Sequence, residues 1–138
     1  MDLTVSQSPS GLSDAFSIYH DLFFFMTKEL VKTYMLELVA ALNKKTENQD
    51  PRIRSEFSFT EGKKYFKIGT VYRGDLEQFK GKLGSIHALV DMTTGNVYKP
   101  AGANSPAKGI RFNLLDQKSR ELCLSRADQY GGYLYIRG

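Results

Sequence analysis

Few side chains in this sequence have the chemistry for catalysis, and their spacing works against it. There are two histidines, His20 and His87, and one cysteine, Cys123. A histidine-based zinc site needs ring nitrogens converging with carboxylates, and the chain has no close-spaced histidine pair. A single cysteine permits neither an internal disulfide nor a cysteine-based zinc cluster, so no metal and no other cofactor is expected. Cys123 sits between Leu122 and Leu124, which predicts a buried, inert thiol rather than a nucleophile. His87 and Asp91 fall on one face of a predicted strand. That pairing suits acid–base work only if the two converge, and a polar strand face supplies it without any function. Ser105-Pro-Ala-Lys108 fits the Ser-x-x-Lys pattern of serine acyl-enzymes. The pattern needs a helix with lysine one turn past serine, and Pro106 with Gly109 breaks one, so the match is read as chance. Arg73-Gly-Asp75 reads as a turn, and no Walker-type or dinucleotide glycine pattern is present. The inventory points to a non-catalytic protein.

Binding chemistry is better represented. The stretch VYKPAGANSPAKGIRFNLL, residues 97–115, sets Lys99, Lys108 and Arg111 around Gly102 and Gly109 and leads toward a helix start near Asn113. Bare backbone N–H groups beside cations at a helix start receive anions; an ordinary surface loop with incidental charge is the alternative. Cations and rings also interleave: Lys63, Lys64, Tyr65, Lys67 and Arg73 in one segment, Tyr133 and Tyr135 near the C-terminus. Side chains two apart on a strand share a face. A sheet face carrying both types holds single-stranded nucleic acid, with stacking worth about 1–3 kcal/mol per base and a salt-dependent phosphate term. The same rings serve equally well in a core packed on a helix.

The elements that must position these residues can be read from periodicity. At 138 residues, 41% hydrophobic and 25% charged, one globular domain is the default. Residues 1–12 read as a flexible arm and 13–138 as a single α+β domain, with a long helix over 13–46 and a sheet region over 55–138. Ser13 suits an N-cap, and no Gly or Pro interrupts the chain before Lys45. Tyr19, Phe23, Met26, Leu30, Tyr34, Leu38 and Ala41 share one helical face. Asp21, Lys28, Glu29, Lys32 and Glu37 exclude a membrane span. Asp2, with no early Lys or Arg, argues against a secretory signal, so the cytoplasm is the expected location.

About thirty helical residues reach roughly 45–50 Å, more than a small sheet covers. Leu22–Met26 is apolar on every side, which predicts either a break near Thr27 or a partner. With no breaker in view, a second copy held through Tyr19, Phe23, Phe24, Phe25, Met26 and Leu30 is the expectation, and a hydrophobic helix wrapped by its own sheet is the alternative. After residue 50 the period changes to two. Phe57 and Phe59 alternate with polar residues. Phe66, Ile68, Thr70 and Tyr72 oppose Tyr65, Lys67, Gly69, Val71 and Arg73. Ile86, Ala88 and Val90 oppose His87, Leu89 and Asp91, and Thr93–Asn96 turns with Gly95 at positive φ. One helical turn is expected within 74–84, a short helix within 114–127, and a last strand at the C-terminus. The whole is a long helix on a mainly antiparallel sheet of about five strands, with a short second helix before the last strand.

Charge divides the chain. Residues 1–50 hold four lysines against seven acids, net −3, and the remainder holds fifteen Lys and Arg against eight acids, net +7. Such asymmetry is a hint of a polyanionic partner, or simply a solvated basic surface.

From about residue 63 onward the chain resembles small uncharacterised proteins of tailed bacteriophages. The resemblance is carried by HALVDMTTGNVYKPAGANSPAKGIRFNLLD and SRADQYGGYLYIR. It implies an accessory protein made in a bacterial cytoplasm and brings no catalytic or binding residues with it. Three readings stand together. One is a non-catalytic nucleic-acid-binding protein, single-stranded DNA favoured, using Lys63, Lys64, Lys67, Arg73, Lys99, Lys108 and Arg111 for phosphates and Tyr65, Tyr133 and Tyr135 for bases. Another is a protein-interaction module, either a virion accessory or an inhibitor of a host protein. The last is an enzyme or binder for a phosphorylated small molecule at the 99–111 loop.

Overall fold

The computed structural model describes residues 9–47, 49–50, 52, 54–74, 77–79, 81 and 83–135. Most of the expected arm, 1–12, lies outside them. Helix α1 runs unbroken over Pro9–Lys44, about 54 Å at 1.5 Å per residue. It opens on proline, which suits a first helical position because its missing N–H has no intrahelical acceptor there. Ser13 therefore lies inside the helix rather than capping it, and Thr27 marks no break.

The sheet is an antiparallel meander of β1 (Ser55–Glu61), β2 (Tyr65–Tyr72), β3 (Leu83–Asp91), β4 (Asn96–Tyr98) and β5 (Phe112–Asn113), paired in sequence order. Helix α2 (Gln117–Arg126) follows, and a 3-10 turn at Glu77–Phe79 fills the β2–β3 connection. The fold is thus the expected α+β class: a long N-terminal helix, five antiparallel strands and a short second helix. The GGYLY segment takes a different form from the strand expected there. Gly132–Leu134 is a 3-10 turn, entered through Gly131 at φ +79°, and the fifth strand is Phe112–Asn113, ahead of α2.

Both helices cover one face of the sheet. Val31, Met35, Leu38 and Leu42 of α1 meet Phe57, Phe66, Ile68, Ala88, Val90, Val97 and Phe112, and α2 adds Cys123. Spacings of four, three and four residues keep the α1 set on one side of the helix. This is not the expected stripe. Of that stripe only Leu38 is fully buried, while Tyr19, Phe23, Met26 and Leu30 are exposed. The helix carries two apolar stripes, and the sheet takes the one that continues unbroken to Leu42. Arg120 ties the helices together, its guanidinium 3.8 Å from the Tyr34 ring centroid and donating to the Leu114 carbonyl at 2.7 Å.

Strand β1 is an edge, and its open backbone groups are partly closed by side chains. The Asn43 amide donates to Phe57 O at 3.0 Å and accepts from Phe57 N at 2.6 Å, and Gln49 accepts from Ser55 N at 2.8 Å. Closing an edge this way blocks strand addition by another chain. At the other hairpin Asp91 Oδ1 accepts from Thr93 N, Thr93 Oγ1 and Thr94 N, and Gly95 takes φ +77°, as its place in the turn requires.

Candidate interaction surfaces

The amino-terminal half of α1 stands apart from the rest. Every side chain from Ser17 to Met26 is exposed, so no face of that stretch is covered. Phe23 is 67% exposed, Phe25 60%, Met26 62% and Tyr19 62%, with Ile18, Leu22, Phe24 and Leu30 also open. From Lys28 onward the helix meets the sheet, through an ion pair with Glu61 and the Lys32 ammonium 5.7 Å from the Phe59 ring centroid. Of the six residues expected at a partner interface, Tyr19, Phe23, Phe24, Phe25 and Met26 lie on this projection, and Leu30, also exposed, lies just past the point where the helix meets the sheet. At 3.6 residues per turn, Leu22, Met26, Tyr19 and Leu30 lie on the side of the helix opposite Val31, Met35 and Leu42.

The ten residues expected at a nucleic-acid surface do not form one surface. Lys63, Lys64, Tyr65 and Lys67 gather with Gly62 and Asn104 around one hollow at the β1–β2 turn. There the Lys64 ammonium lies 5.5 Å from the Tyr65 ring centroid, and Tyr65 meets Tyr98 edge to face. Lys99 and Tyr135 form a second group, with Nζ 4.9 Å from the ring centroid. Arg73 is paired with Glu56. Lys108 is exposed, but its carbonyl accepts from Arg111.

Arg111 is structural. Its guanidinium donates to the carbonyls of Leu134, Lys108 and Gly109, pinning the loop to the C-terminal turn. The loop's own amides are engaged as well: Ala101 N and Gly102 N donate to Ser105 O, Ala107 N to Lys99 O, and Pro100 bridges Pro106. Segment 99–109 thus closes on itself as a small hairpin, with these three amides turned to its own carbonyls.

Tyr133 faces inward. It packs against the core, and its hydroxyl lies 2.7 Å from His87 Nε2. His87 is on this side because β3 departs from regular alternation. The β2–β3 register shifts at Ile68/Gly69 and again at Gly69/Val71, each time with one extra residue in β3. A bulge re-aims a side chain, and here it turns His87 against Phe57, ring centroids 5.0 Å apart. His87 and Asp91 accordingly do not converge, since Asp91 is committed to the Thr93–Thr94 turn. Burial raises the Asp91 pKa, but the Thr93 and Thr94 hydrogen bonds and the Lys64 charge outweigh it and hold the carboxyl below its ordinary value. Burial lowers His87 to about 4 against the pull of Asp128, and raises Tyr133 well above its ordinary value. Both stay uncharged at neutral pH. Nothing in the sequence marks the bulges except Gly69, where a Cβ would come within 2.7 Å of Ser85 O.

Among the described residues no three of His, Cys, Asp and Glu gather in a group able to hold a metal ion, and no helix is long and apolar enough to cross a membrane. A model described as "Family of unknown function (DUF7717)" matches residues 24–136. The chain belongs to that family. The DUF7717 match takes in the sheet, α2, the basic hollow and the His87 region, and it opens at Phe24, within the apolar projection. No curated protein and no solved structure matches the chain.

Proposed function

We propose that this protein is a non-catalytic assembly module that joins to a second copy of itself through the projecting half of α1. The observation that carries this reading is the unbroken run Ser17–Met26 in which every side chain is exposed although most are apolar. Ile18, Tyr19, Leu22, Phe23, Phe24, Phe25, Met26 and Leu30 are 42–67% exposed and together expose roughly 900 Å² spread around the helix; a single crossing covers the part on its own side, a small interface beside the standard of about 800 Å² per partner. A monomer rarely leaves a patch of that size in water.

The segment also complements itself. An antiparallel crossing centred between Phe24 and Phe25 sets Phe23 of one copy beside Met26 of the other, and Tyr19 beside Leu30. The acid on this side, Glu29, then lies about 13 Å along the axis from its symmetry mate and level with His20, so like charges do not meet. Light scattering on the eluting protein tests this: the wild type runs as a dimer or higher assembly, and Phe23→Glu with Met26→Glu runs as a folded monomer. A wild type that stays monomeric up to about 100 μM rejects the reading.

The hollow at the β1–β2 turn supports a second role, as a contact for single-stranded nucleic acid. Lys63, Lys64 and Lys67 surround Tyr65 there on the side of the sheet away from the helices, and none of the three is in an ion pair with another described residue. Replacing all three lysines with glutamine should remove binding to an oligothymidine measured by fluorescence anisotropy at 50 mM salt. The wild-type affinity should fall steeply toward 200 mM salt. Binding indifferent to salt, or unchanged in the triple variant, rejects this role.

A further inference from the structure

At the end of the sheet that holds the β3 bulges there is a pocket of about 290 Å³ between the strands and the C-terminal turn. Its floor is Phe57, Thr70, Ser85 and Ile86 with the His87 ring, and its roof is the segment Gln129–Tyr135. Four things built into the chain hold it open. The bulges turn His87 inward, and the Tyr133 hydroxyl fixes one ring nitrogen. The Asp128 carboxylate accepts from Tyr130 N at 2.9 Å, Tyr133 N at 3.2 Å and Gly132 N at 3.4 Å, which sets the course of the roof. Gly131, at φ +79°, brings its backbone to the His87 edge; a Cβ there would sit 3.7 Å from Cε1. Arg111, donating to Leu134 O, braces the roof from the loop side.

The lining is mixed in the way small-molecule sites are, apolar walls with a few polar groups to fix orientation. Phe57, Ile86, Pro100 and Leu134 are the walls. Thr70, Ser85, His87 and Gln129 are uncharged at neutral pH, and Lys99, held against the Tyr135 ring, is the cation among the described residues of the lining. Among the described residues no acid lines the pocket. A positively charged ligand is poorly matched by that set, and a highly charged polyphosphate exceeds one lysine. The geometry points to a binding site for a small organic carboxylate, its charged end at Lys99 and the hydroxyls, its apolar body against Phe57 and Ile86. The site is separate from α1 and independent of self-assembly.

Two-dimensional NMR of the full ¹⁵N-labelled chain, titrated with 3-phenylpropanoate, its uncharged amide and inorganic phosphate, tests this. The carboxylate should shift His87, Gly131 and Tyr135 in a saturable way, with the amide and the phosphate each at least tenfold weaker. Lys99→Met should abolish the preference for carboxylate over amide, and Ser85→Ala, which leaves the core untouched, should weaken carboxylate binding several-fold. Shifts that map elsewhere, equal affinity for carboxylate and amide, equal affinity for phosphate, or a Lys99→Met protein that binds as the wild type does would each overturn the assignment.

Discussion

Burial holds the His87 imidazole at a pKa of about 4, against 6.5 for the free side chain, although Asp128 nearby pulls the other way. An unfolded chain therefore takes up this proton at a higher pH than the native one. The stabilising contribution of neutral His87 is complete above pH 6.5 and is lost progressively as pH falls toward 4. It amounts to up to about 3 kcal/mol for a shift of this size. Urea unfolding at pH 7.0 and 4.5 measures it: wild-type stability should drop across that interval, and His87→Phe should flatten the drop while lowering stability at pH 7. Cys123 makes the matching case at high pH. Burial pushes its thiol up to about 12, so a disulfide reagent at pH 8 should modify native protein at least a hundredfold more slowly than protein in urea. The inert thiol was legible from Leu122 and Leu124. The state of His87 was not, because strict alternation puts it on the other face of β3, and only the bulges bring it inward.

Elements were legible where a period runs long enough to be counted. The helix, the β1–β2 hairpin and the Gly95 turn all follow from spacing and turn chemistry. What spacing leaves open is which of two stripes on one helix meets the sheet, and α1 has both. A strand of two residues, Phe112–Asn113, offers no period at all, while GGYLY looks like a strand until its glycines are used as a 3-10 turn. Two substitutions probe what holds the sheet in this form. Gly69→Ala places a methyl group against Ser85 O at a backbone-to-backbone contact. It should cost about 2–3 kcal/mol, read as a lower urea midpoint, by forcing the bulged strands apart. Asn43→Leu leaves Phe57 N and O without their amide partner at the β1 edge. It should cost about 2 kcal/mol and raise the aggregation rate on heating, because an unsatisfied edge accepts another strand.

For the whole molecule, the charge division seen in the sequence does not become one electropositive face. Arg73 is neutralised by Glu56, Arg111 is spent on carbonyls, and Lys99 lies at the small pocket rather than beside Lys63, Lys64 and Lys67. Position along the chain gives net charge per segment, whereas partnering is decided by contacts between residues far apart in sequence. The excess of apolar surface, by contrast, was visible as soon as helix length was set against sheet width, and it has a thermodynamic consequence of its own. If α1 is covered by a second copy in the native state and free in the unfolded one, stability must depend on protein concentration. Each tenfold rise adds about 1.4 kcal/mol per dimer, which for a dimer of this size raises Tm by about 2 °C. Scanning calorimetry from 2 to 200 μM should therefore show Tm climbing by about 4–5 °C. Phe23→Glu with Met26→Glu should unfold at one concentration-independent Tm below that range. A wild-type Tm that does not move with concentration would mean that water, not a second copy, faces those phenylalanines.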